Sequence, residues 1–177
     1  MPITITDNLG QQRVTTTPSS SVMTMINVKD YGATGNGTTD DTAFIQTAIS
    51  MAAAAHAGRG ADLFFPEGIY RTTSVLTVLT DNIRLIGAGR GSTIIYPDFT
   101  TGDIIQFGNG TSARNQQGFL HMSVFCPAQH TTGVGINIQY SHDFLLEDFA
   151  LSNMFIGVQV GTAANPALKV HIRNGTI

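Results

Sequence analysis

From Leu63 to the end of the chain, short apolar runs recur and are cut off every few residues by Gly, Asn, Asp or Pro. Ile83-Arg84-Leu85-Ile86, Thr93-Ile94-Ile95-Tyr96, Gly135-Ile136-Asn137-Ile138 and Gly157-Val158-Gln159-Val160 are typical. They are β-branched or alternating, and no second helical period of useful length accompanies them, so they read as short strands. The runs also repeat. Laying Phe144 to Leu151 over Val170 to Ile177 matches apolar with apolar at Phe144/Val170, Leu146/Ile172 and Leu151/Ile177, and brings Asp148 over Asn174 at a turn. Phe119 to Val124 fits onto Leu146 to Leu151, and Ile83-Arg84-Leu85 fits the same strand one repeat earlier. Gly133 to Ile136 and Phe155 to Val158 supply a second strand per repeat. About two dozen residues per repeat, with two or three short strands and turns at fixed offsets, describe an all-β chain wound as a parallel β-helix, each coil roughly 4.8 Å above the last.

Thr42 to Ala57 is the one strong helix signal: Phe44, Ile45, Ala48, Ile49 and Ala52 fall on one face, and Gly58 and Gly60 stop it. Thr39 or Asp40 can accept from the free N–H groups of its first turn, and Asp41 complements the helix dipole. Phe44, Ile45, Ile49, Leu85, Phe119, Leu146, Phe149 and Ile172 are the expected core. Residues 1–25 form a Thr/Ser-rich extension or linker with room for a strand at Ile3 to Thr6, and residues 26–177 form the cap and first coils.

Composition narrows function. At 177 residues one domain is expected, and charged residues are only 12% of it, with Lys29 and Lys169 the sole lysines and Glu67 and Glu147 the sole glutamates. A net charge of -3 offers no electrostatic footprint for nucleic acid or an anionic membrane surface. No apolar run is long enough to span a bilayer, and the start shows no signal peptide. The single cysteine, Cys126, excludes an intrachain disulfide framework and reads as a small buried hydrophobe.

Asn27 to Thr42, with Tyr31-Gly32-Ala33-Thr34-Gly35-Asn36-Gly37 inside it, then the amphipathic helix, then Leu63-Phe64-Phe65-Pro66-Glu67-Gly68-Ile69-Tyr70 and Ile83 to Gly89, resembles the opening of the pectin-lyase-like superfamily. That resemblance implies a right-handed, single-stranded parallel β-helix with an N-terminal capping α-helix, as in polygalacturonases, pectate-lyase/epimerase-like domains and phage tailspikes. It also implies a polysaccharide partner and an extracellular or virion-associated location, with a homo-oligomer, a trimer if tailspike-like.

Catalytic residues are not legible. The polygalacturonase-like Asp pair, Gly-His-Gly and Arg-Ile-Lys segments do not occur after residue 41, and Asp143, Glu147 and Asp148 are the only carboxylates after residue 104. Asp40-Asp41 reads as capping, since adjacent side chains at a helix start diverge. The glycine-rich loops read as turns because neither carries a Gly-Lys-Ser/Thr ending. Glu147, Asp148 and His121 are the weak catalytic candidates. Glu147, His171 and Arg173 are the candidates for a sugar-binding face, with Glu147 over Arg173 suited to an exposed ion pair. Tyr31, Tyr70, Tyr96 and Tyr140 either stack sugars or close the core. No metal site and no cofactor is expected.

Two functions remain open. One is the N-terminal portion of a carbohydrate-active β-helix protein, a tailspike-like or pectinase-like depolymerase with its catalytic coils beyond residue 177. The other is a non-catalytic polysaccharide-binding or virion structural module.

Overall fold

The computed structural model describes residues 4–6, 12–14, 25–58, 60–161 and 168–177. In chain order its elements are β1 (Thr4–Thr6), β2 (Gln12–Val14), β3 (Ile26–Asn27), a 3-10 turn (Val28–Tyr31), β4 (Asn36–Asp40), α1 (Thr42–Gly58), β5 (Leu63–Phe65), β6 (Gly68–Thr72), β7 (Leu76–Val78), β8 (Arg84–Gly87), β9 (Thr93–Pro97), β10 (Ile105–Phe107), β11 (Arg114–Asn115), β12 (Gly118–Phe125), β13 (Val134–Ile138), β14 (Ser141–Ser152), β15 (Ile156–Val160) and β16 (Leu168–Thr176). β1 and β2 pair antiparallel. The run Thr15 to Ser21, read as a linker, lies outside the described residues.

All other pairings are parallel and build three faces of a right-handed β-helix. The first face stacks β3, β5, β8 and the leading halves of β12, β14 and β16. The second stacks β4, β6, β9 and the trailing halves of the same long strands. The third stacks β7, β10, β13 and β15. Because side chains alternate along a strand, one register fixes one inward column. Leu63, Leu85, Phe119 and Leu146 form the column of the first face, Tyr70, Ile95, Val124 and Leu151 that of the second, and Leu76, Ile105 and Ile136 that of the third. All of these are buried, and Phe107 meets Phe144 edge-on across the core at 4.8 Å. The repeat alignments expected from sequence, Phe119/Leu146, Phe144/Val170 and Leu146/Ile172, are the observed registers.

α1 closes the start of the stack with Ile45, Ala48, Ile49 and Ala52 buried. Its Gln46 side chain donates to Thr77 O (3.0 Å) and accepts from Thr77 N–H (3.1 Å), so the helix covers the open edge of the third face at β7. Phe44 departs from expectation: it is 40% exposed, its ring lying over Gly32, where an added Cβ would fall 2.7 Å from Phe44 Cδ1. It lids the glycine loop instead of entering the core. Ile172 also departs, at 54% exposed, because no further described coil covers its column beyond Leu146. Asp40 and Asp41 do separate work at the helix start. The Asp40 carboxylate accepts from Thr42 N–H and Oγ1–H, whereas the buried Asp41 carboxylate accepts from Thr34 N–H, Thr34 Oγ1–H and Gly35 N–H. The second carboxylate therefore pins the glycine loop.

Candidate functional site

The corner between the first and second faces is made by single residues with left-handed backbone: His121 (φ 55°), Asp148 (φ 48°) and Asn174 (φ 49°). They stack in adjacent coils, since the registers on either side of each are continuous. His121 Nδ1 lies 3.1 Å from Asp148 Oδ2. A carboxylate can only accept, so Nδ1–H is the donor of this contact. Arg90 Nε stands 3.8 Å from the other Asp148 oxygen. This cluster is about half exposed and sits on an edge of the prism, where it can hold a proton but no concave wall surrounds it.

Glu147 precedes the corner on the outer side of the first face, between Leu120 and Arg173 in register. His171 lies beside Leu145 in the same face, and His171 and Arg173 are both exposed. Glu147, His171 and Arg173 thus share one outer surface. Their expected ion pair does not form: among the described residues the ion pairs are Arg71–Asp98, Arg84–Asp62, Arg90–Asp148, His121–Asp148 and Lys169–Asp143. The register brings the two backbones side by side, and an exposed pair gains too little to hold the side chains together. Glu147 and Asp148, one residue apart at a bend, point away from one another. An open groove of about 350 Å³ crosses the far side of this face, lined by Asp62, Asn82, Arg84, Gln116, Gln117, Asp143 and Leu145. Asp62 there is buried and holds Arg84 through two hydrogen bonds of 2.8 and 2.5 Å.

The third face presents a different surface. Thr77, Gln106, Asn137 and Gln159 occupy one register, each between two inward apolar residues, and form a polar row in which Thr77, Gln106 and Gln159 are partly exposed and Asn137 is buried. Gln106 Nε2 donates to Gly108 O (2.8 Å), Gln159 Nε2 to Gly161 O (3.5 Å), and Asn137 Nδ2 to Asp103 Oδ2 (2.6 Å). Asp103 Oδ1 accepts from Val134 N–H at 3.0 Å. Beside the row runs a groove of about 440 Å³ lined by Thr73, Ser74, Val75, Phe99, Thr101, Gly102, Asp103 and Gln106. One aromatic ring, several hydroxyls, an amide and a carboxylate are the groups that bind sugars, with the ring for C–H faces and the polar groups for hydroxyls.

Sequence reasoning passed over this row. Its signal is present, in Leu76-Thr77-Val78, Ile105-Gln106-Phe107, Ile136-Asn137-Ile138 and Val158-Gln159-Val160, four apolar-polar-apolar triplets. Each triplet alone is an ordinary half-buried strand, and only their shared register makes a surface. Cys126 is fully buried against Met154 Sδ (3.7 Å), and burial pushes its thiol up to about 11, so it stays protonated and unreactive. Of the tyrosines, Tyr70 closes the core and Tyr96 stacks on the exposed Phe125 at 6.3 Å.

A helix-capped, three-faced parallel coil around a mainly apolar interior defines the pectin-lyase-like class of β-helix proteins. Residues 25–127 match the family described as "Rhamnogalacturonase A/epimerase, pectate lyase-like", and the chain belongs to that family. Mannuronan C5-epimerase AlgE1 of Azotobacter vinelandii is 45% identical over 76 residues, which are 39% of this chain and 5% of that protein. Among solved structures, ORF18 of Geobacillus virus E2 superposes with a TM-score of 0.65 at 24% identity, covering 85% of this chain and 32% of that one. An iota-carrageenase complexed to iota-carrageenan fragments superposes with a TM-score of 0.57 at 18% identity, over 71% of this chain and 28% of the enzyme. The chain therefore spans a small part of the epimerase and about a third of the viral protein.

Proposed function

We propose that this chain binds an extended polysaccharide along its third face, as the contribution of these coils to a carbohydrate-active β-helix protein. The observation that carries this reading is the row Thr77, Gln106, Asn137 and Gln159 beside the groove containing Phe99. Coils rise roughly 4.8 Å, a spacing that suits successive sugars, so a polymer lying along the coil axis would meet Thr77, Gln106 and Gln159 and pass over the buried Asn137. The family supports the reading, and a virion-associated or extracellular protein is where such binding would serve.

The arrangement favours binding over turnover. Acid/base cleavage needs two groups converging on one bond, and Glu147 and Asp148 diverge while His121 stands on an open edge. Reducing-end release and unsaturated-uronate absorbance on several polysaccharides should stay at background. Robust turnover lost in Glu147→Gln or Asp148→Asn would overturn that judgement. Binding is tested by affinity electrophoresis of the whole chain and of the double variant Gln106→Ala, Gln159→Ala. A drop of about tenfold with an unchanged circular dichroism spectrum is expected, and equal retardation would remove the third face as the binding surface.

A further inference from the structure

Resting on that reading, we infer that the glycan taken by the third face is neutral, a donor of hydroxyl hydrogens, and that polyuronates are disfavoured. The argument begins with which end of each amide faces the protein. Gly108 O, Gly161 O and the Asp103 carboxylate can only accept, so the ends of Gln106, Gln159 and Asn137 turned to them are the N–H₂ groups. Each of these N–H₂ groups gives one of its two hydrogens to the fold. Gln106 and Gln159, which are partly exposed, keep their carbonyl oxygens as acceptors, whereas Asn137 Oδ1 is buried and beyond a ligand's reach. Thr73, which lines the groove, spends its hydroxyl hydrogen on Asp40 Oδ2 at 2.7 Å and so also presents an acceptor. The Gln106 and Gln159 carbonyl oxygens and the Thr73 hydroxyl oxygen are acceptors that a sugar hydroxyl satisfies and a carboxylate cannot.

Charge points the same way. Asp103 lines the groove, Asp40 binds its Thr73, and Asp98 precedes its Phe99. Against these three carboxylates stands one guanidinium, Arg71, held by Asp98 at 3.0 and 2.5 Å. His130 packs edge-on behind Phe99 at 5.4 Å and is itself buried. Arg84, Arg90 and Lys169 are likewise engaged with carboxylates on other surfaces. A polymer carrying a carboxylate on every sugar would approach local negative charge with little cationic compensation.

Isothermal titration of the whole chain against a neutral β-glucan, a neutral galactomannan, alginate and polygalacturonate, at about 10 mM and about 150 mM salt, tests this. At least one neutral polymer should bind ten times or more tighter than either polyuronate, with no salt dependence, and added salt should strengthen only polyuronate binding. Asp103→Asn, which keeps an acceptor for Val134 N–H, should raise the ratio of polyuronate to neutral affinity several-fold. Polyuronates binding as tightly as neutral polymers at low salt would overturn the inference while leaving the binding surface standing. Absence of binding to all four polymers at both salt levels would remove the proposed function and the inference together.

Discussion

Asp41 shows how much a single buried carboxylate can organise. It has no exposed surface and accepts from Thr34 N–H (2.7 Å), Thr34 Oγ1–H (3.1 Å) and Gly35 N–H (3.0 Å), tying the loop before β4 to the start of α1. Asp41→Ala removes the acceptor and leaves two backbone N–H groups unpaired, so a loss of about 3 kcal/mol is expected in urea unfolding. A loss under about 0.5 kcal/mol would mean that water replaces the carboxylate at no cost. Its neighbour responds to acid. Partial burial pushes the Asp40 carboxyl up, but hydrogen bonds from Thr42 and Thr73, with Arg71 nearby, outweigh this and hold it below its ordinary value of 3.8. Between the folded and unfolded values the unfolded chain binds more protons. The stabilisation from Asp40 is therefore complete above about pH 4 and disappears as pH falls through the lower folded value. Asp40→Asn should flatten the thermal stability profile below about pH 4 relative to the parent. An acid limb of unchanged steepness would show that other carboxylates control it.

At the scale of elements, the strands and one corner are legible in the sequence and the opposite corner is not. Inward columns such as Leu85, Phe119 and Leu146 announce themselves because every coil repeats an apolar residue at the same offset. The corner at His121, Asp148 and Asn174 was placed for the same reason. The opposite corner stacks Gly60, Asn82, Gln116, Asp143 and Lys169, all at positive φ between 52° and 83°. Glycine and asparagine suggest such a conformation; glutamine and lysine do not, since their Cβ meets the carbonyl there at a cost of roughly 1–2 kcal/mol. Tertiary register overrides local preference, which is why neither residue signalled a corner. The row of the third face was hidden for a related reason, because it exists only between coils. Gln116 permits a test: it is exposed at φ 52°, so a β-branched side chain adds strain where glycine adds none. Gln116→Val should be about 1–2 kcal/mol less stable than Gln116→Gly by thermal or urea unfolding. The reverse order would show that this corner relaxes out of the left-handed region.

On the scale of the whole molecule the two ends of the coil stack are unequal. α1 buries the first coil, whereas on the last described coil Phe155, Ile156, Val160, Ile172 and Ile177 are 59%, 42%, 44%, 54% and 74% exposed. Among the described residues β15 pairs only with β13, and β16 only with β14, so each also offers an edge of backbone groups. One coil below, Leu146 and Ile138, in register with Ile172 and Val160, have no exposed surface. Covering a side chain of this size fully is worth roughly 1.5–3 kcal/mol, so five that are half covered already would add about 5 kcal/mol. Association itself costs an estimated 4–15 kcal/mol, which makes self-association through this end weak and dependent on concentration. Sedimentation velocity of the 177-residue chain should show a weight-average mass that rises across the micromolar range. Phe155→Lys with Ile172→Lys puts charge into the edge and should return the chain to monomer without altering its melting temperature by more than a few degrees. A parent chain that remains monomeric throughout that range would show that the apolar end is too small or too well solvated to pair, and a double variant that still associates would place the contact on another face.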